Sequence, residues 1–176
     1  MGIPLSEVLE APLDAEGLSR RWRQMLEDPL LANVPGKVEL DLWGRIIMTP
    51  VNTEHGGLAG RLSYILQSQL GGRALVEVGV RTDEGVFTPD VAWCSVAYWS
   101  ARREQAPLEV APELCIEIAS PSNTIQDLRA KANAYIAAGA SEAWIVFPRS
   151  RRAEFYRQSG VTDASSFSVD LSTLFD

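Results

Sequence analysis

Between Glu54 and Leu70 the apolar residues Leu58, Leu62, Ile65, Leu66 and Leu70 recur at helical spacing on one face, and Gly71-Gly72 ends the run. A shorter helix is expected from about Leu18 to Glu27, stopping before Asp28-Pro29 because the residue ahead of a proline avoids helical angles. KVELDLWGRIIMT, residues 37 to 49, places two short runs on either side of Leu42-Trp43-Gly44 and reads as a β-hairpin. Residues 74 to 82 and 89 to 94 read as strands joined by the turn Asp83-Glu84-Gly85. ELCIEIA, residues 113 to 119, alternates as a strand with Leu114, Ile116 and Ile118 on one face. A helix over 124 to 138 follows, with Ile125, Leu128, Ala132, Tyr135 and Ile136 as its apolar side. AWIVF and AEFYR are two further strands around a turn at Pro148 to Ser150.

This order predicts an α/β (α+β) fold, a mixed sheet with helices packed against it. It lacks the regular strand-helix alternation of a doubly wound protein. No GxGxxG and no phosphate-binding P-loop occurs, which argues against a nucleotide-cofactor enzyme. Residues 1 to 15 carry two prolines and little periodicity. The expected organisation is therefore an N-terminal arm and short helix over 1–29, then one globular domain over 30–176.

Length agrees with this, since 176 residues suit one ordinary domain. No apolar run approaches the roughly 20 residues that cross a bilayer. The first residues lack a basic stretch followed by an apolar one, so no secretory leader is visible and a cytoplasmic protein is expected. Two cysteines, Cys94 and Cys115, and one histidine, His55, exclude a cysteine-rich zinc site or a disulfide framework. Both cysteines sit in apolar strands and read as buried free thiols.

A net charge of -7 argues against a protein that coats nucleic acid by charge alone. Any such contact must come from local basic clusters: Arg20, Arg21 and Arg23; Arg102 and Arg103; or Arg149, Arg151, Arg152 and Arg157. Solvated surface arginines are the ordinary alternative for each.

Candidate chemistry lies in three places. Asp90 opens an apolar strand directly after Pro89; taken alone, it suits a turn cap better than a site residue. Glu117 lies inside Leu-Cys-Ile-Glu-Ile-Ala. A mid-strand carboxylate there costs several kcal/mol unless it is paired, metal-bound or open to a cleft. Lys131 falls next to Tyr135 on the border of its helix's apolar face, so its stem can run along the core while its ammonium reaches the sheet edge. Asp127, one turn earlier, is a candidate partner for it, and Thr124 with Asp127 has capping-box spacing.

Taken in order, a PD, a carboxylate within an apolar strand and a basic residue resemble the PD-(D/E)xK nuclease pattern. A finer resemblance is to the Uma-two family of restriction endonucleases. It is carried by VELDLWG at 38 to 44, the Pro50 to His55 stretch that opens a helix, TPDVA at 88 to 92 and PELCIEIASPS at 112 to 122. DLRAKANAY at 127 to 135 and AGASEAWIV at 138 to 146 continue it. The superfamily lysine normally stands two positions after the acidic residue, where this chain has Ala119; the Uma-two pattern instead carries a lysine on the next helix, matched by Lys131.

The resemblance implies a restriction-endonuclease-like mixed central sheet flanked by helices. It also implies a Mg²⁺-dependent endonuclease acting on DNA, with Mn²⁺ as a substitute. Asp90, Glu117 and the carbonyl of Ile118 would be metal ligands, with Lys131 and Glu39 as further catalytic residues. His55 would touch substrate or cap its helix. Two-strand cleavage would suit a homodimer. The competing readings are a catalytically inactive nucleic-acid-binding relative and a protein-interaction module.

Overall fold

The structure is a computed structural model that describes residues 11–31, 36–50 and 52–176. Most of the expected N-terminal arm lies outside these residues. Helix α1 (Ala15–Glu27) begins earlier than its periodicity suggests, because the Asp14 side chain caps it by accepting from the Gly17 amide at 2.8 Å. Leu18, Trp22 and Met25 on α1 are buried against Leu40 and Val86.

Those last two residues belong to a four-stranded sheet ordered β2-β1-β5-β4, formed by β1 (Lys37–Asp41), β2 (Ile46–Thr49), β4 (Val80–Thr82) and β5 (Gly85–Phe87). The β1–β2 hairpin is the one expected, in register Glu39 opposite Ile47, and Gly44 takes φ of 70° in its turn. Arg21, buried on α1, donates to the Gly44 carbonyl at 3.1 Å and holds the turn to the helix.

The larger sheet has six strands in the order β10-β9-β8-β7-β6-β3. They are β3 (Arg73–Leu75), β6 (Val91–Cys94), β7 (Leu114–Ile118), β8 (Glu142–Phe147), β9 (Arg152–Arg157) and β10 (Gly160–Thr162). Only β7 and β8 are parallel, and the crossover between them contains α4 (Ile125–Ala137), as parallel neighbours require. Helix α2 (Thr53–Leu70) covers one face. Its Leu62, Ile65 and Leu66 join Val91, Ile116, Ile118 and Trp144 in a common core. Helix α4 covers the other, with Leu128, Ala132 and Tyr135 against Cys115, Ala143 and Ile145. At about 1.5–3 kcal/mol per buried large apolar side chain, these two interfaces are the main stabilising surfaces of the sheet. Ile125, counted on the apolar side of α4, is instead about half exposed. Both cysteines are free and buried, as expected.

Two expectations need correction. Residues 74 to 82 do not form one strand: β3 pairs with β6 in the large sheet, while β4 pairs with β5 in the small one. Between them Gly79 passes under Trp22, where a Cβ would stand 2.4 Å from the indole. Accordingly, Asp83 and Glu84 turn the chain into β5, not directly into residues 89–94. Alternation marks residues as extended but not which sheet they join. Helix α3 (Val96–Arg102), capped by Ser95, and strand β10 also lie in stretches to which the sequence pattern assigned nothing.

The C-terminal residues are anchored on β8. Glu142 is fully buried and accepts from Trp144 Nε1 at 2.5 Å, Arg157 Nε at 2.7 Å, the Ser166 amide at 2.9 Å and the hydroxyl groups of Ser165 and Ser166. No helix among the described residues is long and apolar enough to cross a membrane.

Candidate active site

β7 presents Glu117 on the face shared with Cys115, toward α4, because strand alternation sends Ile116 and Ile118 into the core under α2. The carboxylate is buried and has two direct partners. Tyr135 on α4 donates its hydroxyl to Oε1 at 2.7 Å, and Lys37 on β1 places its ammonium 2.8 Å from Oε2. Asp90 sits just before β6. The Ile118 amide donates to its Oδ2 at 2.7 Å, and Oδ1 faces both Lys37 Nζ at 2.9 Å and His55 Nε2 at 3.3 Å. Asp90 and Glu117 thus meet across the β6–β7 pairing, with one ammonium between them.

Glu39 follows Lys37 by two residues on β1 and points the same way. It accepts from the Thr88 amide at 3.0 Å and holds Lys131 Nζ at 2.7 Å through each carboxylate oxygen. Asp127 does not pair with Lys131; it takes the Thr124 hydroxyl at 2.6 Å while Thr124 caps its amide, which is the expected capping interaction. His55 stands in the first turn of α2, whose cap is the Asn52 side chain, accepting from the His55 amide at 2.9 Å. The imidazole is therefore free of capping duty and turns to Asp90. Ile118 meets Asp90 through its N–H, which locks that carboxylate in place.

The site opens into a cleft of about 260 Å³ lined by both sheets, the start of α2 and the Ser120–Asn123 loop ahead of α4. Its electrostatics follow from crowding. Burial pushes Asp90 toward the neutral form, but the His55 hydrogen bond, Lys37 and the Ile118 amide outweigh it and hold its pKa at about 2. Burial raises Glu117 above the usual carboxylate range despite Lys37. Burial alone would lower Lys37, yet Glu117, Asp90 and Glu39 together raise it, so it stays charged. His55 is raised chiefly by its hydrogen bond to Asp90. Burial and the Glu117 charge raise Tyr135, which stays a donor.

All the side chains anticipated from sequence, namely Asp90, Glu117, Lys131, Glu39 and His55, converge here. Two were missed. Tyr135 reads from the sequence only as part of its helix's apolar face. Lys37 carried a signal in composition: the chain has 16 basic residues, of which only Lys37 and Lys131 are lysines. Both are in this site.

Among the described residues, no group of three or more His, Cys, Asp or Glu side chains forms a ready-made metal cage. Two carboxylates that address one point nonetheless suit a hard cation, since Mg²⁺ is commonly held by one or two carboxylates plus water and substrate oxygens. Asp90 Oδ1 and Glu117 Oε2 do address one point, shown by the single ammonium both contact. The donor set therefore fits a divalent ion.

Most of the basic clusters have structural partners. Arg20 pairs with Glu16 at 3.2 Å, Arg103 with Glu104 at 3.3 Å, Arg152 with Glu154 at 2.9 Å and Arg157 with Glu142 at 2.7 Å. Arg102 lies over Tyr98, and Arg151 donates to the Phe175 carbonyl at 2.7 Å. Arg149 differs, lining a shallow cleft beside the site with His55 and Ser120.

Fold and site together define an α+β protein with a carboxylate–lysine centre between two sheets. The chain belongs to the Uma2 family, described as "Putative restriction endonuclease", whose family model matches residues 22–171. Among solved structures it is similar to one described as a putative nuclease belonging to DUF820 from Anabaena variabilis. That likeness has a TM-score of 0.65 and 18% identity over 82% of this chain and 94% of the other, and it shows a shared fold. No curated protein is significantly similar in sequence.

Proposed function

We propose that this protein is a metal-dependent endonuclease that hydrolyses phosphodiester bonds of DNA. The observation that carries the reading is the meeting of Asp90 and Glu117 with Lys37 and Lys131 in one open cleft, in a chain of the Uma2 family. Asp90 and Glu117 are the residues that would hold Mg²⁺, or Mn²⁺ in its place. A bound divalent ion supplies charge stabilisation to a phosphodiester and acidifies water.

The chain's own groups do the rest. The Ile118 amide and Tyr135 fix the two carboxylates from behind, leaving their remaining oxygens toward the cleft. Glu39 holds the Lys131 ammonium at the cleft wall, where it faces negative charge that builds on a phosphoryl group. His55 is a donor beside Asp90 and suits a non-bridging phosphate oxygen. Arg149, on the neighbouring surface, suits a flanking phosphate. Cutting both strands of a duplex calls for a second site, which a homodimer would provide.

The test is cleavage of plasmid and single-stranded DNA in Mg²⁺, Mn²⁺ or EDTA by wild type, Asp90→Asn and Glu117→Gln. The expected result is nicking in metal only, lost in both variants while circular dichroism stays unchanged. Undiminished cleavage by the variants would overturn the site. Salt-dependent DNA binding with no cleavage under any condition would identify a catalytically inactive binding relative.

A further inference from the structure

The superfamily pattern places a lysine two positions after the acidic strand residue, where this chain has Ala119. Two lysines reach the site from elsewhere, and they are not equivalent. Lys131 spends both of its short contacts on Glu39, at 2.7 Å each. Lys37 lies 2.9 Å from Asp90 Oδ1 and 2.8 Å from Glu117 Oε2, but 3.8 Å from Glu39. Its side chain is only 11% exposed, so solvent does little to neutralise the carboxylates around it. Arginine fills every other cationic position in the chain. A lysine ammonium is a compact point charge on a flexible stem, which can leave one contact and make another. A planar guanidinium is bound to its fork geometry.

We propose that Lys37 is the resident cation of the Asp90–Glu117 pair, which a divalent ion must displace. The metal affinity of this protein is then set by Lys37, and the displaced ammonium is the charge presented to a bound phosphodiester. The inference rests on the metal-dependent reading above. Its physical basis is that two cations drawn to the same two oxygens repel each other at close range in a poorly solvated site. Charge balance drives the exchange in both directions: without a divalent ion the buried pair needs Lys37, and with one it does not.

The test reads metal binding, not cleavage. Mn²⁺ titrations followed by electron paramagnetic resonance of the free ion compare wild type, Lys37→Met, Lys37→Arg and Lys131→Met. Lys37→Met is expected to bind about tenfold tighter or more, because a charge in direct contact with the ligand oxygens is gone. Lys37→Arg keeps the charge on a group tied to its fork contacts and binds no tighter than wild type, and Lys131→Met gains less than Lys37→Met. Wild-type binding that Lys37→Met merely equals or falls short of overturns the inference and leaves the nuclease reading intact. Absence of Mn²⁺ binding by every form, wild type included, overturns the metal reading and this inference with it.

A second measurement needs no substitution. Acylation of wild-type Lys37 by an amine-reactive ester, quantified by peptide mass spectrometry, is expected to rise severalfold when Mn²⁺ replaces EDTA. Unchanged labelling of Lys37 in saturating Mn²⁺ overturns the displacement.

Discussion

Lys131 on α4 grips both carboxylate oxygens of Glu39 on β1 at 2.7 Å, across 92 positions of sequence. The pair joins the helix that covers the large sheet to the first strand of the small one. Glu39 is buried and Lys131 only 19% exposed, so neither has water as a ready substitute. Lys131→Met is expected to cost up to about 3 kcal/mol, because it leaves buried Glu39 with the Thr88 amide and only the more distant Lys37 ammonium, at 3.8 Å, to balance its charge. Adding Glu39→Leu should recover part of that loss. Urea unfolding of the two single variants and the double variant checks this; strictly additive losses would deny the coupling.

Tyr135 offers a smaller and more local test. Its hydroxyl is buried and donates to Glu117 at 2.7 Å. Tyr135→Phe keeps the ring in its core cluster, edge-on to Phe87, but removes the donor, at an expected cost of about 1.5–3 kcal/mol for a hydrogen bond to a charged group. Denaturant midpoints measure the stability. Nicking rates measured alongside should fall, because Glu117 loses one of the groups that aim it.

Glu142 should make stability depend on pH at the acid end. Burial raises its pKa, but Ser165, the Ser166 amide, Arg157 and Trp144 lower it more, so its folded value lies below 4.5. A carboxyl depressed in the folded state stabilises the protein above its unfolded pKa and loses that contribution as pH falls through the folded value. Wild type should therefore lose stability on acidification from near pH 4.5 downward, and Glu142→Gln should show a shallower loss over that interval. Thermal melts from pH 3 to pH 7 read the difference. Parallel curves would exclude Glu142 as the source.

Gly85 tests the small sheet. It takes φ of 145°, and a Cβ there would stand 2.1 Å from the Leu40 carbonyl oxygen. Gly85→Ala meets both backbone strain and backbone collision, and neither neighbour can swing away. The expected loss is about 2 kcal/mol or more, with the β1–β5 pairing disturbed. Amide exchange at Val86 and Leu40 should accelerate in the variant. A neutral substitution would contradict this backbone geometry.

Periodicity alone determined the helix face of Leu62, Ile65 and Leu66, the alternation that singled out Glu117 and the hairpin that carries Glu39. These signals are local. A helix or strand must bury one side, and the spacing of apolar residues records which side. The ordered motifs that carry the family resemblance pointed to Asp90, Glu117, Lys131, Glu39 and His55 as candidates, and Glu117 stood out on its own because a mid-strand carboxylate demands a partner.

Partnership was decided only in three dimensions. Lys131 faces Glu39 and not Asp127, although Asp127 is one turn away and Glu39 is 92 positions off. Lys37 reaches Asp90 and Glu117 only because the tertiary fold brings β1 of the small sheet up to β6 and β7 of the large one. Nothing in the spacing of residues 74 to 82 distinguishes a strand of one sheet from strands of two. A backbone in extended form is compatible with either sheet, and the choice is settled by what packs against it, here Trp22 over Gly79 and the pairing of β4 with β5.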